Sequence, residues 1–96
     1  MFILITYDVK TEDATGQKRL RKVAKACKNY GHRVQNSVFE CILSEANFII
    51  LKNEIESVID KENDSVRFYF LGKNWNRHIE HIGRNTGLDV TETLII

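Results

Sequence analysis

One carboxylate stands where a rigid element would present it to solvent. Residues 2–9, FILITYDV, open with four continuous apolar residues and close on Tyr7, Asp8 and Val9. A short run dominated by β-branched and aromatic types reads as a buried strand. An acid at its exit is held firmly yet reaches water, metal or substrate. The competing reading is a turn or capping residue, the more frequent role of an Asp after a strand. The groups that could act with Asp8 are few: Tyr7 beside it, the basic residues of the next element, and Arg33, Ser37 and Phe39 on the strand region after that. Glu12 and Asp13 are near enough in sequence to approach it. Such a set suits Mg²⁺-assisted hydrolysis of a phosphodiester. Mg²⁺ keeps six oxygen ligands and usually takes more than one acid, so a single carboxylate is a poor site and two symmetry-related copies of Asp8 would be required.

Other chemistries find less. No Gly-rich phosphate loop is present, and no Ser/His/Asp or Cys/His arrangement that the strands would bring together. His78 and His81 stand three apart, but no third ligand is in view, so a structural or solvent-facing role is the expectation. Cys27 and Cys41 each lie inside an apolar pattern, which suits reduced core thiols better than a disulfide or a zinc site.

The elements that must position these residues follow from periodicity. After the first strand, 10–16 (KTEDATG) reads as a polar loop. A helix is expected over about 17–30, with Leu20, Val23, Ala24, Cys27 and Tyr30 as its buried stripe and Gly31 as its stop. Residues 33–43 are strand in character, either one strand bulged at Asn36 and Ser37 or two strands joined there by a tight turn. Ser44 is a suitable N-cap for a second helix over about 45–60, with Phe48, Leu51, Ile55, Val58 and Ile59 facing inward. Residues 61–64 form a turn, and 65–71 alternate as a strand that Gly72 ends. Beyond a loop around Trp75, 78–83 (HIEHIG) is expected as a short edge strand, and 90–96 as a last strand with Leu94, Ile95 and Ile96 docked on its own subunit or a neighbour. The result is an α+β sandwich of ferredoxin-like βαββαβ plan with an additional C-terminal strand, a single domain over 1–96 with its core in about 1–72 and a docking segment in about 73–96.

At 96 residues the chain is near the small end of what buries a self-sufficient core, and two helices cover one sheet face only. Pairing of the other face with a second copy is therefore expected, bringing two Asp8 toward one axis. No apolar run approaches the length of a membrane span and the N-terminus does not read as a signal peptide, so the expected location is the cytoplasm. Net charge is +1, yet between Asp13 and Glu40 there is no acid, while Lys18, Arg19, Arg21, Lys22, Lys25, Lys28 and Arg33 fall there. A one-sided basic surface on a nearly neutral protein points to a polyanion, and Lys18, Arg19, Arg21, Lys22 and Lys25 are the expected nucleic-acid contacts. A solvated lysine face is the ordinary alternative, but the acids that normally alternate with lysine are missing.

With these residues in place, the sequence resembles the CRISPR-associated protein 2 family. The resemblance rests on the strand ending in Tyr7 and Asp8, the KRLRK segment 18–22, RVQNSVFE over 33–40, and HIEHIG with the apolar tail. It covers nearly the whole chain and looks closest to members of type I-C systems. It implies a ferredoxin-like homodimer in which Asp8 of each subunit binds Mg²⁺ for endonuclease activity on RNA or DNA, with Tyr7, Arg33, Ser37 and Phe39 around the site. It also implies a part in spacer integration, as a DNA-binding bridge between two CRISPR integrase dimers that need not be catalytic. A ferredoxin-like module regulated by a small ligand is the third class, with no Gly-rich effector loop to support it.

Overall fold

The computed structural model describes residues 1–71 and 78–84. The elements run β1 (Phe2–Asp8), α1 (Ala14–Lys28), β2 (Gly31–Gln35), β3 (Val38–Ile42), α2 (Glu45–Val58), β4 (Ser65–Leu71) and β5 (Ile79–Gly83). The strands form one sheet in the order β2-β3-β1-β4-β5, every neighbouring pair antiparallel. The first six elements give the βαββαβ ferredoxin-like plan, and β5 extends the sheet beyond β4. The loop expected around Trp75 and the strand expected over 90–96 lie outside the described residues.

β1 is central because it is apolar on both faces, and its pairing spans the chain: Phe2 lies opposite Ile42 on one side and Leu71 on the other. Strand alternation sends Ile3, Ile5 and Tyr7 into the core, where they meet Phe39 and Cys41 of β3, Val66 and Phe68 of β4 and Ile82 of β5. Val23, Ala26 and Cys27 of α1 and Phe48, Leu51 and Ile55 of α2 close that core from above. Phe48 sets its ring edge-on to Phe68 and Phe70, at 5.4 and 4.9 Å between centroids. Cys27 and Cys41 are free and buried, and burial pushes their thiols up to about 12 and about 11.

The helix boundaries differ from the expected ones for identifiable reasons. α1 begins at Ala14, not Gln17, because Asp13 caps it: its carboxylate accepts from the Gly16 amide at 2.8 Å and the Thr15 hydroxyl at 2.8 Å. Gly16 is thus a buried helical residue and no loop glycine. A Cβ there would come 1.9 Å from the Lys10 carbonyl oxygen, so the close passage of the loop after β1 demands glycine. At the other end α1 stops at an Asn29 cap, and Gly31 opens β2. Ser44 caps α2 as expected, accepting from the Asn47 amide at 3.1 Å, and α2 ends at Val58, short of Asp60. Residues 33–43 contain both devices that the letters left open. A two-residue turn at Asn36 and Ser37 joins β2 to β3, and the register shifts between Arg33 and Gln35. β5 is fastened to the helical layer by Lys52, which donates to Glu80 at 2.6 Å and holds that carboxyl below the usual range.

Candidate functional site on the uncovered sheet face

The side chains that alternate with the core residues face away from both helices. On β1 these are Phe2, Leu4, Thr6 and Asp8, and their neighbours in register include Ile42, Val38, Arg67 and Tyr69. Ile42 is 82% exposed and Phe2 39%. Exposed apolar side chains gathered on one face mark an interaction surface. Asp8 stands on this face at the end of the central strand, opposite Ser65.

The Asp8 carboxylate is 77% exposed and 3.4 Å from one terminal nitrogen of Arg84. It borders an open cleft of about 450 Å³ with Lys10, Thr11, Glu12, Asn63 and Arg84. Of the two loop acids near Asp8 in sequence, Glu12 shares this cleft, with Lys10 at 3.9 Å, whereas Asp13 is committed to its cap. The capping bonds from Gly16 and Thr15 hold the Asp13 carboxyl below its ordinary range. Among the described residues no group of three His, Cys, Asp or Glu side chains gathers to hold a metal. A donor set of one exposed carboxylate per chain fits Mg²⁺, which keeps several waters and binds through one or two carboxylates plus substrate phosphate.

Beneath Asp8, on the helix side of the sheet, lies a second cluster. Tyr7 is buried, stacks on Phe39 at 6.1 Å between centroids, and donates from its hydroxyl to the Asn36 carbonyl at 3.3 Å. Burial pushes its phenol up, and a hydrogen bond with Arg33 opposes that push. The Arg33 guanidinium lies 5.2 Å from the centre of the Phe39 ring. Ser37 enters through its backbone, its carbonyl accepting from the Tyr7 amide at 3.1 Å. The structure therefore brings Tyr7, Arg33, Ser37 and Phe39 together and sets the Asp8 carboxylate on the opposite face of β1. Adjacent residues of a strand point to opposite faces, which is the physical reason.

Of the expected nucleic-acid contacts, Lys18, Arg21, Lys22 and Lys25 are exposed on α1. Lys22 and Lys25 also border a shallow groove of about 250 Å³ that runs to Glu54 and Val58 of α2. Arg19 is different. Its Nε donates to Asp64 at 2.7 Å, and Asp64 is fully buried. The same carboxylate accepts from the Lys10 amide at 3.1 Å and the Asp60 amide at 2.9 Å. Arg19 is thereby withdrawn from the basic face into a clamp that ties α1, the loop after β1 and the start of β4 together. Neither Asp64 nor Arg84 was expected from the sequence to matter. For Arg19 a signal existed: it lies on the Gly16–Val23 line of the buried stripe at helical spacing. His81 pairs with Ser65 at 3.2 Å, and His78 stacks on Phe70 at 4.2 Å, contacts in keeping with the structural reading of both.

Known proteins resemble this chain in sequence and in fold. The family model described as CRISPR associated protein Cas2 matches residues 1–79. A CRISPR-associated endonuclease Cas2 of Halalkalibacterium halodurans is 56% identical over 95 residues, covering 99% of either chain. A CRISPR-associated endoribonuclease Cas2 of Nitratidesulfovibrio vulgaris is 50% identical over 96 residues, covering 100% of this chain and 94% of that one. The crystal structure of Streptococcus pyogenes Cas2 at pH 6.5 superposes with a TM-score of 0.72 at 57% identity, covering 78% of this chain and 90% of that one.

Proposed function

The chain belongs to the CRISPR-associated protein Cas2 family, and from that premise we propose that it is a Mg²⁺-dependent endonuclease acting on RNA or DNA and a component of spacer integration. The observation that carries the nuclease reading is the Asp8 carboxylate, exposed at the end of the central strand on the face the helices leave bare. Two copies of the chain joined through those faces bury Phe2 and Ile42 and bring two Asp8 carboxylates to one axis, where together they hold Mg²⁺. When bound, the ion neutralises developing charge on the phosphoryl group and activates water. The carboxylates orient it, and the exposed amines of α1 hold the nucleic-acid backbone.

One titration tests this geometry. Sedimentation at micromolar concentration is expected to give a dimer, and Mn²⁺ titrated as a Mg²⁺ substitute is expected to saturate at one ion for two chains. A stable monomer, or one ion per chain, removes the shared site.

The adaptation role is a second reading, in which the dimer bridges two CRISPR integrase dimers and holds duplex DNA without needing to cut it. Lys18, Arg21, Lys22 and Lys25 favour it, being exposed along one helix with no acid of α1 among them. Replacing Lys22 and Lys25 by Glu is expected to weaken duplex binding equally on all sequences and to lower the log–log salt slope by about one for each lost phosphate contact. An unchanged slope in a filter-binding series from low to high salt means that the helix is not the track. A small-ligand regulatory role has less support, since both clefts described are open and edged by charge, unlike the apolar enclosures that hold small effectors.

A further inference from the structure

We propose that Arg84 is a substrate-phosphate ligand of the Asp8 site, held against Asp8 until metal and substrate arrive. The inference rests on the nuclease reading above and adds to it a residue that the sequence did not single out.

Three observations carry it. Among the described residues Arg84 is the cation that pairs with the Asp8 carboxylate, at 3.4 Å, and both line the same open cleft. Its root is fixed while its head is not. The Arg84 amide donates to the Asp64 carbonyl at 2.6 Å, and the preceding Gly83 has φ of 95°, a backbone state that favours glycine. A Cβ on Gly83 would also meet that carbonyl oxygen at 2.1 Å, so the chain is pinned to the start of β4 just where Asp8 pairs with Ser65. The guanidinium, by contrast, is held among the described residues by long contacts, to Asp8 and from Nε to the Asn63 carbonyl, both at 3.4 Å, with the side chain 43% exposed. Finally, the cleft pairs two cations with two carboxylates, and the Lys10 ammonium lies 3.9 Å from Glu12, which leaves Arg84 as the cation beside Asp8.

Asp8 would hold a divalent ion through the same oxygens that Arg84 now faces, so the guanidinium would be released from the carboxylate and be free to take a substrate phosphate instead. A planar fork of N–H donors matches two phosphoryl oxygens, which an ammonium cannot do. Arg84 thus changes partner from carboxylate to phosphate without any movement of the backbone.

The two states make opposite demands, and this gives the test. In Arg84→Gln the competitor is gone, so Mn²⁺ binding measured calorimetrically without substrate is expected to tighten about two- to fivefold, the range set by exposed ion pairs. Cleavage of a labelled oligonucleotide is expected to fall about 10- to 100-fold in kcat/KM, the scale of one lost stabilising donor at a partly hydrated site. Arg84→Lys, which keeps the charge and loses the fork, is expected to bind Mn²⁺ as the parent does and to recover only part of the rate. Circular dichroism of the variants is expected to match the parent, because the structural bond of Arg84 is its backbone amide. If Arg84→Gln cleaves like the parent while Asp8→Asn is inactive, Arg84 is no phosphate ligand and the nuclease reading stands. If Asp8→Asn also cleaves like the parent, the nuclease reading falls and takes this proposal with it. If Arg84→Gln binds Mn²⁺ more weakly, the competition is wrong in sign and the proposal is overturned.

Discussion

Asp8→Asn is expected to lose cleavage by at least about 100- to 1000-fold, the cost of removing a group that organises transition-state charge. The amide keeps the size and shape of the carboxylate but removes one negative charge from each subunit, which in the proposed dimer would take both charged protein ligands from Mg²⁺. Chelation with EDTA is expected to silence the parent protein to the same level, and the two treatments together are expected to do no more than either alone. The exposed carboxylate contributes little to folding, since its partner among the described residues is an exposed arginine at 3.4 Å. The variant is therefore expected to unfold with the parent and to bind duplex DNA as tightly, the basic face of α1 being untouched. Integration with the cognate integrase is expected to persist, because a bridge that holds DNA through α1 does not use Asp8. An Asp8→Asn protein that cleaves normally sinks the nuclease assignment, and one that cannot integrate sinks the separation of the two roles.

The largest effect on stability is expected at Asp64. This fully buried carboxylate satisfies the amides of Lys10 and Asp60 and the Nε of Arg19 at once. Asp64→Ala leaves those donors unpaired, for which the expected loss is about 3–5 kcal/mol, near the lower end because the Arg19 side chain is partly exposed. For a domain of this size that lowers the melting temperature by roughly 12 °C or more. Asp64→Asn, whose amide oxygen still accepts from the backbone, is expected to lose roughly half as much. Urea unfolding of the three proteins checks both, and an alanine variant within about 1 kcal/mol of the parent would show that water replaces the clamp. Asp64 also anchors the loop that places Lys10 on the rim of the Asp8 cleft, so cleavage is expected to fall in Asp64→Ala below the unfolding temperature as well.

The contrast between these two acids marks how far the letters reach. β1 is legible as a short continuous run of β-branched and aromatic residues and β4 because its apolar residues alternate at the strand period, and β4 runs over Ser65–Leu71 as expected. Ser44 was legible because a capping side chain acts within three residues of its own position. Asp8 was legible as a residue at a strand exit. Asp64 was not, since an Asp in a polar turn looks the same whether it points out or, as here, reaches an arginine 45 residues away. The start of α1 was misjudged for a related reason. Gly16 is demanded by a backbone passing at a distance in sequence, and nothing local distinguishes that from a loop glycine. The separation of Tyr7 from Asp8, however, was available in principle, because neighbours on a strand cannot share a face. Arg84 stands next to a glycine whose positive φ only the folded chain reveals.

The position of β1 at the centre of the sheet has a consequence for how the chain comes into being. Its two partners are made late: β3 ends at Ile42 and β4 at Leu71, and Phe2 must meet both. At about 5–20 residues per second, a ribosome needs on the order of 3–13 s to add the residues from Val9 to Leu71. Until β4 exists, Phe2, Ile3, Leu4 and Ile5 have at least one edge unpaired, while α1 and the β2–β3 hairpin form from local contacts. The nascent chain thus carries its most apolar strand first and completes it last. The interval before β4 joins is therefore the time at which a chaperone that grips short apolar segments is expected to matter most.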